Sequence, residues 1–277
     1  MAILHSRRAS PLLFALALFA SGGSVAHAQQ GSQRPPTMQL LTMLQSLQVA
    51  NVPELAPAIN GLLSDTTSHM RMAPRRRATH ADSLRAASIV KAARTALAPY
   101  ANVATAERDG YVRFLPWLAD QDIYHYNNVQ NVYESLSDFD ATRPASLLYR
   151  KRKGKLELVG AMYIAVPGST PDDLDARLPT GVAHWHEHVN FCGPRPDSVR
   201  VTARRVDGTP VVKVDGAAVA RWLRITTPEA CATAGGVFVP RLFGWMAHVY
   251  LFGGNDPRTI WGDAHADHMR MRMHGTH

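Results

Sequence analysis

The chain has 277 residues, of which 46% are hydrophobic and 19% are charged, and its formal net charge is +8. A positive balance could attract nucleic acid. The basic residues, however, stand in short runs such as Arg75-Arg76-Arg77, without the interleaved aromatic residues of single-strand binders. We therefore predict a solvated basic surface and no nucleic-acid partner.

The first 28 residues have the three parts of a secretory signal peptide. Arg7 and Arg8 precede a short apolar run, 12–20, and Ala26-His27-Ala28 fits the small-x-small cleavage pattern. The apolar run is shorter than the roughly 20 residues that span a bilayer. We expect cleavage after Ala28, a periplasmic or secreted protein, and no membrane anchor once the signal is removed.

Residues 29–110 are predicted to hold a disordered leader and a helical segment. The leader, 29–36, is polar and rich in glutamine and proline, whereas 37–48 has apolar residues at helical spacing. Residues 64–79 are polar and interrupted by proline, which predicts a loop or linker.

A second helix is marked by its ends. Asp82 is expected to cap it and Pro99 to end it. Its apolar stripe is predicted to comprise Leu84, Ala87, Val90, Ala93 and Leu97. A short helix from a cap at Asn102 to Gly110 is expected to follow.

Strand patterns dominate residues 111–261. Two hairpins are predicted, 147–151 with 156–166 and 199–206 with 211–214. Further strands are expected at 181–192 and 244–252, and short helices at 170–173 and 228–234. Helices followed by strands indicate an α+β fold, in which an N-terminal helical segment precedes a mainly antiparallel β domain. Residues 262–277 are predicted to be a disordered tail rich in Met and His.

Residues 180–192 carry three histidines in alternation. In a strand, the two-residue period places His184, His186 and His188 on one face, together with Asn190 and Cys192. The other face then carries Ala183, Trp185, Val189 and Phe191, interrupted by Glu187. Neutral imidazoles bind zinc, copper and iron. The pattern predicts a divalent metal site, zinc or copper, although solvent-exposed histidines would produce the same alternation.

Two further histidines can complete such a site. His248 lies in the middle of the predicted strand 244–252 and is the expected third ligand beside His186 and His188. His125 is a candidate for a fourth ligand. The tail and residues 69–72 mix Met with His, a combination suited to copper, but we favour the interpretation that the tail is disordered and its composition is due to chance.

A helical interpretation of the same residues gives a different site. His184, Glu187 and His188 match the H-x-x-E-H arrangement, with two ligands one turn apart and a glutamate base. Residues 181–191 resemble the zinc-binding segment of pitrilysin-like metallopeptidases. The resemblance covers only these residues, and the acids between Asp197 and Glu229 lie too close to match that family's distant third ligand. We therefore interpret this likeness as coincidental.

A broader resemblance extends over roughly residues 100–252. It rests on six motifs, at 106–111, 125–127, 140–149, 158–163, 185–192 and 244–250. These motifs resemble a family of exported bacterial proteins of unassigned function, so the resemblance implies export but no activity. The positions of His184 and Glu187 vary in that pattern, which favours His186, His188 and His248 as ligands.

Cys192 and Cys231 are the only cysteines of the chain. In an oxidising compartment two cysteines most often pair, so we predict a disulfide between them. A thiolate metal ligand or two buried thiols are the alternatives.

Three functions are compatible with these patterns. The first is metal binding or handling without catalysis. The second is a metal-dependent hydrolase in which an open coordination position activates water, with Glu187 or Asp122 as base. The third is a structural or ligand-binding module with incidental histidines. The chain lacks a G-x-S-x-G segment, so a serine hydrolase is not supported. The substrate and the oligomeric state stay open.

Overall fold

The computed structural model describes residue 59 and residues 68–116, 118, 121–194, 200–204, 210–213 and 216–262. The predicted signal peptide, the predicted leader and helix at 29–48, and the tail beyond residue 262 lie outside these residues. Helices and an antiparallel sheet are both present, which confirms the α+β prediction.

The central element is an antiparallel sheet with strand order β1-β6-β10-β5-β4-β3-β2, in which β9 also pairs with β6. β7 and β8 form a separate two-stranded sheet. The strands are β1 (Met70–Met72), β2 (Tyr111–Arg113), β3 (Tyr124–Asn128), β4 (Ser146–Arg152), β5 (Lys155–Ala165), β6 (His186–Pro194), β7 (Arg200–Arg204), β8 (Pro210–Lys213), β9 (Gly236–Arg241) and β10 (Trp245–Val249).

The α-helices of the described residues are short except for the first. They are α1 (His80–Leu97), α2 (Val103–Arg108), α3 (Val129–Glu134), α4 (Pro171–Arg177), α5 (Gly216–Trp222), α6 (Pro228–Thr233) and α7 (Pro257–Ile260). None of these described helices has the length and apolar character that a bilayer crossing requires.

The main core lies between α1 and one face of the sheet. Alternate residues of the central strands are buried there because successive side chains of a strand point to opposite faces. They include Tyr124 and Tyr126 of β3, Leu147 and Tyr149 of β4, Ala161, Tyr163 and Ala165 of β5, and Trp245, Ala247 and Val249 of β10. The residues between them therefore face away from α1.

The predicted stripe of α1 is partly wrong. Val90, Ala93 and Leu97 are buried as expected, but Ala86 is buried with them, while Leu84 and Ala87 are exposed. The physical reason is that a helix repeats every 3.6 residues, so positions 86, 90, 93 and 97 form the narrower stripe. Thr79 is the N-cap, and Asp82 completes a capping box from the third position of the helix.

Most predicted elements of the β domain are confirmed. The first hairpin turns at Lys153 and Gly154, both with positive φ, as a two-residue type I′ turn requires. The second hairpin is β7 with β8, and the predicted short helices are α2, α4 and α6. The prediction of a loop over 64–79 is wrong for Met70–Met72. These residues form a strand that pairs with β6 at an edge of the sheet.

The predicted disulfide is present. Cys192 of β6 and Cys231 of α6 are bonded, with their Cα atoms 5.7 Å apart, and both are fully buried. Gly236 packs against the two sulfur atoms, where a Cβ would lie 2.6 Å from the Sγ of Cys192. The thiolate-ligand alternative is therefore wrong for Cys192 and Cys231.

We expect the Cys192→Ala/Cys231→Ala variant to lose about 3–4 kcal/mol of unfolding free energy, because the disulfide closes a loop of 39 residues. Urea denaturation measures the loss, and reductant should weaken the wild type by a similar amount. Two alkylatable thiols in the native, unreduced protein would contradict the pairing.

Stability should also fall in acid because of Asp82. Its bonds to Arg76 and to Thr79 hold the pKa of this carboxyl below its usual range. A lowered folded-state pKa contributes stability above the unfolded pKa of about 3.9, and this contribution disappears as pH falls through the folded value. Asp82→Asn should therefore weaken the protein at pH 7 and flatten its stability profile below about pH 4. Asp172→Asn, at an exposed position of α4, is the matched control, and equal profiles for the two variants would refute the role of Asp82.

Candidate functional site

The face of the sheet turned away from α1 carries four histidines. His186 and His188 lie on β6, His248 on β10 and His125 on β3. We call this side the histidine face. The ring of His248 lies beside both His186 and His125.

The four rings form a continuous row. Ring centroids are 5.6 Å apart for His188 and His186, 5.2 Å for His186 and His248, and 5.2 Å for His248 and His125. At the end of the row, the Nε2 atoms of His248 and His125 are 3.3 Å apart. These two residues are separated in the sheet by β5 and β4, so the sheet must curve toward the histidine face for the rings to meet.

Burial differs along the row. His186, His188 and His248 are 2%, 6% and 7% exposed, while His125 is half-buried. Tyr250 lies beside His248, with ring centroids 6.4 Å apart. The imidazoles are thus largely removed from water. The alternative prediction, that the alternating histidines are solvent-exposed, is therefore wrong for His186, His188 and His248.

His184 lies outside β6. β6 begins at His186, and His184 precedes it at a half-buried position. The helical H-x-x-E-H interpretation of His184, Glu187 and His188 is therefore wrong, because this arrangement requires two ligands one helical turn apart. The extended backbone instead places Glu187 opposite to its two histidine neighbours.

Glu187 has a structural role. It is fully buried, and its Oε2 lies 2.5 Å from a nitrogen of Arg71 and 2.9 Å from one of Arg241. Arg71 also stacks over Trp245, 5.4 Å from the ring centroid, on the core side of the sheet. Because two guanidinium groups hold this carboxylate away from the histidine face, it does not fit the predicted role of a base beside the metal. Asp122, the other candidate base, lies just before β3 and is half-buried.

The predicted alternation breaks down after Val189. Asn190 has a φ of 63°, in the left-handed region, and its side chain donates a hydrogen bond to the carbonyl of Ser68. From Val189 onward β6 pairs with β9. Phe191 was expected opposite the histidines, but its ring centroid lies 6.3 Å from that of His188, because the unusual conformation interrupts the two-residue period.

The separation of His125 and His248 has a specific chemical meaning. Two nitrogens bound at 2.0–2.1 Å to a tetrahedral ion are about 3.3–3.4 Å apart. The observed Nε2–Nε2 distance of 3.3 Å matches this value and also permits a hydrogen bond between the rings. As the side chains stand, no three His, Cys, Asp or Glu residues of the described ranges are arranged to hold one metal ion.

Sequence reasoning noted Met70 and Met72 beside His69 but missed Met162 and Met246, and it did not place the four methionines on the histidine face. Cα partners across antiparallel strands share a face. Met72 and Met246 are the partners of His186, Met70 is the partner of His188, and Met162 is the partner of His248. The alternation around each methionine is visible in the sequence, but the strand pairing that joins it to a histidine is not.

Comparison of the chain with protein-family models, curated proteins and solved structures finds no match. The function is therefore inferred from the site's own chemistry.

Replacing Glu187 tests the structural role of this residue. Glu187→Gln should lower the unfolding free energy by about 1–3 kcal/mol, because a buried charge-assisted pairing is lost. Glu157→Gln, whose side chain is exposed and 3.6 Å from Arg152, should cost at most about 1 kcal/mol. Chemical denaturation of both variants is the measurement, and equal losses would argue against the role.

Proposed function

We propose that this protein binds a metal ion, zinc or copper, through the histidine row, and that it does so in an exported, oxidising setting. The observation that carries the proposal is the 3.3 Å separation of the Nε2 atoms of His125 and His248, two ligand nitrogens from strands distant in the sequence. The disulfide is compatible with export.

His186 supplies the third ligand in this proposal. Two imidazoles on one tetrahedral ion have ring centroids about 5 Å apart. The centroids of His186 and His248 are 5.2 Å apart, so rotation about the side-chain bonds of His186 would bring its nitrogen to the same ion without movement of the strands. His188, the next ring of the row, is positioned to be a fourth ligand or to orient His186.

Binding without catalysis is the form of this function that the site supports best. A hydrolase needs a general base beside the metal-bound water. Glu187, which the sequence suggested for that role, is held by Arg71 and Arg241 on the other side of the strand. Metal binding or handling requires only the ligands.

The test is metal titration of the full chain and of single histidine variants. Elemental analysis of the native protein should find a stoichiometric metal. His248→Ala, which removes the central ligand, should weaken zinc and copper(II) binding by at least about tenfold. Mutation of a residue that merely orients a metal ligand already lowers metal affinity by about 10- to 100-fold. His186→Ala and His125→Ala should have effects of the same order.

The matched control is His80→Ala. His80 is the exposed first residue of α1, far along the chain from the row, and its loss should leave metal affinity unchanged. Circular dichroism checks that each variant is folded. If His248→Ala and His80→Ala bind metal equally well, the histidine row is not the metal site.

A further inference from the structure

The histidine face holds every methionine of the described residues, namely Met70, Met72, Met162 and Met246. Each is a Cα partner of His186, His188 or His248 in a neighbouring strand. Because the pairs come from β1, β5 and β10, the association arises from the topology of the sheet and not from one local run of sequence.

These pairings bring sulfur within reach of the imidazoles. Directly opposed residues of antiparallel strands have Cβ atoms about 4.5–5.5 Å apart. A methionine side chain has three rotatable bonds, so its sulfur can approach the point at which a neighbouring imidazole nitrogen binds. His186 has such a neighbour on each side, Met72 on β1 and Met246 on β10.

The charge of the surroundings favours a monovalent ion. His186 and Met246 are buried, Met72 is exposed on the edge strand β1, and the carboxylate of β6, Glu187, is neutralised by arginines on the opposite side. Imidazole and thioether ligands are neutral, so they do not compensate the charge of a bound cation. Transfer to a buried site costs more for a doubly charged ion than for a singly charged one.

We infer that the site takes copper(I), bound by imidazole nitrogen of the histidine row together with thioether sulfur of Met246 and Met72. Thioether sulfur is a soft ligand that selects copper(I), whereas imidazole alone suits zinc and copper(II) as well. This inference rests on the proposed function, because the same histidines are used, and it adds the identity and the oxidation state of the metal.

The experiment compares copper(I) and zinc binding by the full chain. Copper(I) affinity is measured without oxygen, by competition with the chelator bathocuproine disulfonate, and zinc affinity by titration. Met72→Leu/Met246→Leu conserves side-chain volume and removes both sulfurs next to His186. It should weaken copper(I) binding by about tenfold or more, and leave zinc affinity nearly unchanged.

The matched control is Met269→Leu/Met271→Leu/Met273→Leu, which removes the methionines of the tail. This variant should bind copper(I) as the wild type does. X-ray absorption of the copper(I)-loaded wild type, which requires no variant, should show sulfur bonded to copper in addition to nitrogen.

The outcomes separate the two proposals. If the strand variant keeps wild-type copper(I) affinity, if only nitrogen is bonded to copper, or if the tail variant alone loses affinity, the copper(I) inference is overturned. His248→Ala would then still report on the proposed function through its loss of zinc binding. If His248→Ala keeps wild-type affinity for zinc and copper, both proposals are overturned.

Discussion

The buried carboxylate of Glu187 is the constraint on which the arrangement of this protein depends. A carboxylate that is fully removed from water is costly unless cations and hydrogen bonds compensate it. Here Arg71 reaches it from β1 and Arg241 from β9, so a single charge ties two neighbouring strands to β6. A register shifted by one residue would separate these groups, and it would also turn His186 and His188 toward the core. The ion pairs therefore determine which side chains share the histidine face.

The second determinant is the unequal covering of the two sides of the sheet. α1 and the aromatic residues of β3, β4 and β5 make one side a packed core. On the other side, a smaller cluster around Ile164 and Met246 adjoins the imidazoles. Curvature of the sheet brings His125 and His248 together although two strands separate them. The site is thus a product of the shape of the whole sheet.

Local patterns predicted the local elements of this fold. Thr170-Pro171, Asn102 and Lys153-Gly154 carry their capping and turn chemistry in adjacent residues, and the corresponding helices and hairpin are observed. The disulfide followed from the number of cysteines. The strand β1 was missed because three residues beside a proline carry too little periodicity, and β1 is stabilised by its pairing with β6. The ion pairs of Glu187 could not be predicted either, because its two arginine partners lie far from it in the sequence.

The pairing of β1 with β6 also bears on how the molecule assembles. Arg71 and Glu187 are 116 residues apart, and the strands between them pair mostly with near neighbours along the chain. The entropy lost on closing a loop grows with the length of the loop. Contacts between residues far apart in the sequence therefore form late, unless structure formed earlier has already shortened the chain segment that must be closed. We expect β3, β4 and β5 to form first and β1 to dock near the end of folding, which pulse-labelled hydrogen exchange would detect as late protection of residues 70–72. A nascent chain would then carry an incomplete histidine face, lacking Met70 and Met72, until almost all of the sheet has formed.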